Sequence, residues 1–373
     1  MNLDYQIHNC HTHIFTIDYI PKYYLSSMFP THWAKNGTVA KVGMTLFKNT
    51  INRYMAFFYS AMKNSQMEVL KELRGYYPSN TRFSVLSVDF DYMDAGPAKF
   101  DFQCQIDDLA QVAKTVNDEA GENLIIPFLG VDPRRENLFD LVQKYVEEKG
   151  FRGLKIYPGL GFFPNDKRLY KVWEYAEKNE LPITSHCIPT NKNHFRFKPT
   201  DIMIESAKLL KSFSDKDKKD SYKFAKYLNH PYWFDKLLQD FPNLKINFAH
   251  FGGNVEWDKY LDLPNEKFEK DTNWYSMIRQ LLKKYPNTYS DISFTVHDRN
   301  LYPLLKNVIN SEYKDKNIYS PKNKVLFGTD FYMLQKDYKE RRFGIDLRGY
   351  LTEDEYWQIA EVNPKRFLAT KFD

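Results

Sequence analysis

Two histidines near the start of the sequence are spaced for metal chemistry. His11 and His13 follow the apolar run Tyr5–Cys10 and are separated by one residue. Because side chains alternate along a strand, both imidazoles would project to the same side, where they can share one divalent ion. A lone His-X-His pattern also arises by chance. Its position directly after an apolar run nevertheless favours a pair of metal ligands.

Three further side chains with metal-binding chemistry stand where other apolar runs end. His186 and His250 each close one run, and Asp330 follows the last. Zinc and similar ions bind imidazole and carboxylate, and catalytic sites leave one coordination position for water. Any one of these histidines alone would be interpreted best as a hydrogen-bonded structural residue. Together the five residues predict a metal centre, because a buried polar cluster is costly without an ion or hydrogen bonds.

The elements that must position these side chains are short apolar runs alternating with amphipathic stretches. The strand candidates are Tyr5–Cys10, Phe83–Phe90, Leu124–Gly130, Gly153–Tyr157, Pro182–His186, Lys245–His250, Thr288–Phe294 and Lys324–Gly328. The helix candidates are Phe102–Asn117, Asn137–Lys149, Lys167–Asn179, Tyr232–Phe241, Asn273–Tyr285, Asn300–Asn310 and Glu353–Glu361. This alternation predicts an α/β fold of the (β/α)8 TIM-barrel type. No glycine-rich dinucleotide fingerprint or phosphate-binding loop accompanies it.

Two stretches are too long to be simple connections in this barrel. They cover about residues 18–79 and 189–231, within a single domain of residues 1–373. Both leave the C-terminal ends of strands, the face that carries active sites in such barrels. Long loops there form lids or substrate walls, and a docking subdomain or an oligomer contact is the alternative. Their aromatic content would suit a homodimer contact.

The composition limits the binding partners and the cellular compartment that we expect for this protein. The 53 basic and 48 acidic residues give a net charge of +5, spread too thinly for nucleic-acid binding, so a small-molecule substrate is expected. The start of the sequence resembles no signal peptide, and no apolar run reaches the ~20 residues of a membrane span. We therefore expect a cytoplasmic protein. Cys10 and Cys187 neighbour proposed ligands with opposite parity and are expected to pack against the helices.

Six motifs carry a family resemblance that runs nearly from end to end. They are His11–His13, Gly150–Pro158, Pro182–His186, Phe241–Gly253, Phe327–Asp330 and Asn363–Phe367. In this order they resemble the amidohydrolase superfamily, and within it the amidohydrolase-related branch. That branch contains aminocarboxymuconate-semialdehyde decarboxylase, resorcylate decarboxylases and several lactone and amide hydrolases. The two long insertions are not covered by the resemblance.

The resemblance implies roles for the strand-end residues. His11, His13 and His186 match metal ligands, and Asp330 matches the aspartate that contacts the metal and its water. His250 matches a histidine that acts in catalysis when one ion is present, or binds a second ion in binuclear members. We expect one divalent ion, with Zn²⁺ preferred and Mn²⁺, Fe²⁺ or Co²⁺ as alternatives.

Three residues are candidates for substrate binding. Lys155 stands where binuclear members carry a carboxylated lysine that bridges two ions, although a substrate-binding or structural lysine is favoured in this branch. Tyr157 replaces a histidine that is common two residues after that lysine. Arg299, just after the seventh strand, could pair with a substrate carboxylate, and a helix-start salt bridge is an equally strong interpretation.

The reaction favoured by the sequence is metal-dependent hydrolysis of an amide, lactone or ester. A divalent metal lowers the pKa of bound water, Asp330 would accept the proton, and His250 would stabilise the oxyanion. The second hypothesis is non-oxidative decarboxylation of a small aromatic or unsaturated acid, with His250 or Asp330 protonating the carbon. A non-catalytic binding protein is disfavoured because every expected ligand is present.

Overall fold

The strands of the chain form one parallel sheet. The structure is a computed structural model that describes residues 5–24, 59–189, 197–262, 273–315, 317–332 and 339–372. The strands are β1 (His8–Thr12), β2 (Arg82–Leu86), β3 (Ile125–Val131), β4 (Gly153–Ile156), β5 (Pro182–His186), β6 (Lys245–Ala249), β7 (Thr288–Asp291) and β8 (Val325–Leu326). Each strand pairs with the next, and the N–H of Cys10 donates to the carbonyl of Phe327 at 2.9 Å. The predicted (β/α)8 TIM barrel is confirmed.

Helices alternate with the strands around the outside of the barrel. They are α1 (Gln66–Arg74), α2 (Phe102–Ala120), α3 (Leu138–Glu148), α4 (Tyr170–Lys178), α5 (Asp201–Ala207), α6 (Ser221–Leu228), α7 (Pro231–Asp240), α8 (Asn254–Asp262), α9 (Trp274–Lys284), α10 (Tyr302–Ile309), α11 (Glu340–Tyr350), α12 (Glu353–Trp357) and α13 (Asn363–Leu368). The predicted helices all occur, with small shifts at their ends. No helix of the described ranges is long and apolar enough to cross a membrane.

The sequence did not predict six of these helices. Three lie in the insertions: α1 in the first, and α5 and α6 in the second. They are only seven to nine residues long, so their apolar periodicity is short and weak. The other three are α8 and α11, which follow β6 and β8, and α13, which follows α12. Residues 25–58 and 190–196 of the insertions lie outside the described residues, so the structure bears only on the remainder of each insertion.

Five strands (β2, β4, β6, β7 and β8) end earlier than predicted, and β7 and β8 are each followed within a few residues by a positive backbone φ. β7 ends at Asp291 and not at Phe294, and β8 ends at Leu326. Phe294 and Asp330 have φ values of 58° and 56°, in the left-handed region that a strand cannot include. Each chain segment therefore turns across the mouth of the barrel soon after its strand ends.

The lower part of the barrel interior is filled by a separate apolar cluster. It contains Cys10, Phe128, Leu326 and Phe367, the last contributed by α13. The rings of Phe128 and Phe367 are stacked with their centroids 6.5 Å apart. Helix α13 thus closes the end of the barrel that lies opposite to the C-terminal ends of the strands.

The position of Cys10 corrects an expectation from the sequence. Cys10 packs inside the barrel and not against the helices, because the β1–β2 register is irregular between Asn9 and Thr12. An irregularity of this kind adds a residue to one strand and changes the alternation of its side chains. Cys10 and His11 can therefore both face inward. Cys187 is fully buried in the main core, where the prediction of a packing residue is confirmed.

A glycine in β4 makes room for this lower cluster, which gives a stability prediction. A Cβ atom on Gly153 would lie 2.4 Å from the ring of Phe128. We expect Gly153→Ala to lower the free energy of unfolding by about 1–3 kcal/mol, because overpacking forces neighbours off their preferred rotamers. Urea denaturation measures this change. Gly349→Ala is the control, because nothing lies within 4 Å of a Cβ atom there, and unchanged stability in Gly153→Ala would contradict the prediction.

Candidate metal centre

Three predicted ligands converge at the mouth of the barrel. The Oδ1 atom of Asp330 lies 3.4 Å from Nε2 of His13 and 3.7 Å from Nε2 of His11. All three side chains are buried, and each pair of donor atoms lies within 4.8 Å. Two imidazole nitrogens and one carboxylate oxygen at these separations can turn towards a single divalent ion.

Hydrogen bonds on the far side of each imidazole fix which nitrogen faces this group. Nδ1 of His13 lies 2.8 Å from the carbonyl oxygen of Leu86, and Nδ1 of His11 lies 3.1 Å from Oδ2 of Asp291. Both partners can only accept a hydrogen bond, so each Nδ1 carries a proton, and in the neutral form of each ring Nε2 keeps its lone pair. Burial and the nearby His11 and Lys155 lower the pKa of His13 well below its usual value, which keeps the ring neutral. These residues therefore fit a metal ion.

Asp291, which the sequence reasoning missed, connects several parts of the site. Its carboxylate is fully buried and accepts hydrogen bonds from Nδ2 of Asn247 at 2.6 Å and from the backbone N–H groups of His250 and Ser293 at 3.1 Å. Burial alone would raise the pKa of Asp291, but the nearby His11 and His250 and the side-chain hydrogen bonds from His11 and Ser293 hold it well below the usual range. The available signal was the position of an acidic residue at a strand end, which the overlong seventh strand concealed.

His250 and His186 lie beside the metal group and contact each other. Nδ1 of His250 lies 3.1 Å from the carbonyl oxygen of Ser293, and its Nε2 lies 3.1 Å from Nδ1 of His186. Because the carbonyl requires a proton on Nδ1 of His250, Nδ1 of His186 donates and its Nε2 is the unprotonated nitrogen. Burial and the His11 ring lower the pKa of His250 to about 3. Among the described residues, two groups of donor atoms could hold an ion, His11 with His13 and Asp330, and His11 with His250 and Asp291, and His186 belongs to neither.

The predicted substrate residues divide into two classes. Lys155 and Tyr157 line the same cavity as the histidines, a space of about 70 Å³. Arg299 is not among the residues that line it, and its guanidinium pairs with the carboxylate of Asp346. The ion pair, which the sequence left as the alternative for Arg299, is the arrangement found in the structure.

The walls of this cavity are aromatic, and they surround one amine. Phe15, Tyr24, Phe90 and Tyr157 contribute rings, and the Tyr157 ring lies 4.2 Å from the His186 ring, measured between centroids. Lys155 is only 3% exposed. Burial lowers its pKa to about 8, and the carboxylates of Asp291 and Asp330 oppose that shift. The lining of the cavity therefore combines apolar ring faces with one amine that could pair with a negative charge.

Residues with unfavourable backbone geometry cluster at this mouth. His250, Phe251, Phe294, Asp330 and Tyr332 all have φ between 45° and 68°. Such conformations cost about 1–3 kcal/mol each and persist where surrounding contacts hold them. One such contact is the hydrogen bond from the N–H of Asp330 to the carbonyl of His11, at 2.8 Å.

Comparisons with known proteins identify the family of this site. The profile of the amidohydrolase family matches residues 10–370. The chain belongs to the amidohydrolase family. Comparison with curated protein sequences gives no match.

Solved structures share the fold at low sequence identity. A 5-carboxyvanillate decarboxylase from Novosphingobium aromaticivorans is 9% identical with a TM-score of 0.53, covering 98% of this chain and 97% of that one. A 2,6-dihydroxybenzoate decarboxylase from Rhizobium is 14% identical with a TM-score of 0.51, covering 98% of each chain. A structure described as amidohydrolase II is 13% identical with a TM-score of 0.52, covering 97% and 99%. The chain is thus a barrel of an enzyme family, and its His and Asp groups support binding of a divalent metal.

Proposed function

We propose that this member of the amidohydrolase family removes carbon dioxide from a small, planar carboxylic acid in a metal-dependent reaction without oxidation. The observation that carries the proposal is the buried Lys155 amine inside an aromatic-walled cavity that also contains His11, His13 and Asp330. A buried ammonium group is stabilised by negative groups, and a substrate carboxylate would add to the nearby carboxylates of Asp291 and Asp330. This changes the order of the two hypotheses drawn from the sequence, where hydrolysis came first.

The metal in this proposal is held by His11, His13 and Asp330. The family resemblance adds His186, which lines the same cavity, as a proposed fourth ligand. A divalent ion there would act as a Lewis acid on substrate oxygen atoms and lower the pKa of a bound water. Lys155 is not needed as a carboxylated bridge, because its amine already has the two carboxylates of Asp291 and Asp330 nearby. We therefore propose one ion per chain.

Two related structures support the choice of reaction. The decarboxylases from Novosphingobium and Rhizobium act on aromatic acids, as their names state. The Novosphingobium structure holds manganese and 3-methoxy-4-hydroxy-5-nitrobenzoic acid. Manganese is accordingly a candidate here beside zinc, since imidazole and carboxylate ligands suit both.

Each of the residues that line the cavity would have a distinct role in this reaction. Phe15, Phe90 and Tyr157 hold the substrate ring and exclude water, while Lys155 pairs with its carboxylate. The bond between the ring carbon and the carboxylate breaks, its electron pair stays on the carbon, and carbon dioxide leaves. Asp330, which lines the cavity, would enter this step protonated, give its proton to the carbon, and regain one from water for the next turnover.

Hydrolysis is the second candidate because the same Asp330 also fits that reaction. Its carboxylate lies next to both His11 and His13, so it could take a proton from an attacking water. Lys155 and His250 would then face the oxygen of the attacked carbonyl. The two reactions differ in their products, so product analysis separates them.

The test is to incubate the Mn²⁺- or Zn²⁺-loaded protein with hydroxybenzoic and conjugated acids, and separately with lactones and amides. Each reaction is followed by mass spectrometry and by release of ¹³CO₂ from carboxyl-labelled acids. Labelled carbon dioxide with a product one carboxyl group lighter supports decarboxylation. A new carboxylate or amine without carbon dioxide would contradict it and favour hydrolysis.

Substitution of Lys155 tests the proposed pairing with the substrate carboxylate. We expect Lys155→Met to raise KM at least about tenfold, because a charge-assisted hydrogen bond contributes about 1.5–3 kcal/mol, while metal content stays unchanged. Steady-state kinetics with elemental analysis measure both quantities. Lys324→Met is the control, since Lys324 is also a buried amine but donates to the carbonyl of Pro286, away from the cavity. Unchanged KM in Lys155→Met would contradict this role.

A further inference from the structure

A side-chain amide joins the two segments that carry the metal ligands. Nδ2 of Asn9, on β1, donates to Oγ1 of Thr329 at 2.9 Å. Its Oδ1 accepts from the backbone N–H of Thr329 at 3.2 Å and from that of His11 at 3.3 Å. Thr329 directly precedes Asp330. The position of this one amide therefore affects the separation of His11 and Asp330.

Asn9 is itself held by residues that lie farther from the cavity. Its Nδ2 also donates to the hydroxyl of Tyr77 at 3.2 Å, and that hydroxyl donates to Oε1 of Glu340 at 2.5 Å. Tyr77 lies at the end of the first insertion, and Glu340 is the first residue of α11. Three segments distant in sequence thus meet behind the seam between β1 and β8.

Burial of the Glu340 carboxyl group is energetically unfavourable. Glu340 is 1% exposed, and its Oε2 has no hydrogen-bond partner among the described residues. Burial raises its pKa to about 7, against the effect of hydrogen bonds from Tyr77 and Thr329. An apolar pair of similar volume would stabilise the fold at lower cost. The arrangement is better explained by what the Tyr77 hydroxyl holds in place.

We infer that Tyr77 and Glu340 are a positioning pair for the metal centre, acting through Asn9 on the distance between His11 and Asp330. This inference rests on the proposed metal site. Neither residue lines the cavity, so neither touches the substrate. The first insertion then contributes to metal geometry through Tyr77, besides any role at the mouth of the barrel.

The test uses Tyr77→Phe, which removes a single oxygen atom and leaves the ring that packs edge-on against Phe83. Binding of Co²⁺ to metal-free protein is measured by titration, together with the visible absorption spectrum of the bound ion. Loss of a residue that contacts a metal ligand costs about 10–100-fold in affinity. Because Tyr77 acts through Asn9, we expect a smaller rise in Kd, of about 3–10-fold, with an altered Co²⁺ spectrum.

Two further variants separate positioning from general stability. Glu340→Gln keeps an oxygen that accepts from the Tyr77 hydroxyl, so its Kd and spectrum should match those of the wild-type protein. Tyr175→Phe is the matched control, since the Tyr175 hydroxyl donates to Glu147 at 2.8 Å on the outer helices. It should leave Co²⁺ binding unchanged.

The outcomes distinguish this inference from the proposed function. Tyr77→Phe with a lower melting temperature but wild-type Kd and spectrum would overturn the inference and leave the metal site standing. Wild-type protein that binds no Co²⁺ would overturn the proposed function and this inference together. A weaker, spectrally altered site in Tyr77→Phe alone would establish the positioning role.

Discussion

Replacement of His11 by alanine is expected to remove the metal and the activity together. The variant loses an Nε2 atom that lies 3.7 Å from Asp330, and it leaves Asp291 without its imidazole partner. We expect turnover to fall at least about 1000-fold, the upper range for loss of one preorganised electrostatic element. Elemental analysis of purified wild-type and variant protein, with reconstitution in Zn²⁺ and Mn²⁺, measures the metal. The expected wild-type value is one equivalent.

The control for this experiment is another histidine of the same strand. His8 is buried in β1 below Cys10 and is not among the residues that line the cavity. His8→Asn should keep the metal even if its stability falls. Retention of one equivalent by active His11→Ala would contradict the proposed site. Two equivalents in the wild-type protein would instead point to a carboxylated Lys155 and favour hydrolysis.

The second large effect is expected for Asp291→Asn. The amide offers one oxygen where the carboxylate offers two, yet His11, Asn247, Ser293 and the backbone of His250 all donate to this position. At least one buried donor therefore loses its partner, at a cost of about 1–3 kcal/mol. The charge that orients the His11 ring also disappears. We expect metal affinity to fall by about 10–100-fold, as for other residues that hydrogen-bond to a metal ligand.

Asp132→Asn is the matched control for this substitution. Asp132 is also a buried aspartate just beyond a strand end, but its carboxylate pairs with Arg134 at 2.6 Å. Competition with a chromophoric chelator measures metal affinity, and thermal unfolding of metal-free protein measures stability. Equal metal affinities in the two variants would show that Asp291 supports the fold and not the ligand geometry.

The sequence predicted the barrel and most of the candidate site because both follow from local patterns. Each strand is a short apolar run, and polar residues at its end must lie at one face of a parallel barrel. The same rule would have found Asp291, had the seventh strand been ended three residues earlier. The turn that follows this strand, in which Phe294 has a positive φ, depends on tertiary contacts. A run of apolar residues does not reveal such contacts.

Other features depend on strand register and on long-range contacts, and they could not be predicted from the sequence. The irregular pairing near Cys10 reverses the expected side of one residue, because alternation applies only to a regular strand. The hydrogen bond between His186 and His250 joins residues 64 positions apart. The link from Tyr77 to Glu340 spans 263 positions. Neither pair shows any local pattern that would predict its contact.

The seam between the first and last strands has a consequence for how the protein is made. Asn9 and Thr329, which join the ligand segments, are 320 positions apart in sequence. At roughly 5–20 residues per second, the ribosome adds the second of them about 16–60 s after the first. His11 and His13 are therefore synthesised well before Asp330, when the barrel is still incomplete. During that time the nascent chain carries two imidazoles that can bind metal ions without the carboxylate of Asp330. The three proposed ligands His11, His13 and Asp330 can therefore meet only late in synthesis, after the segment that carries Asp330 has left the ribosome.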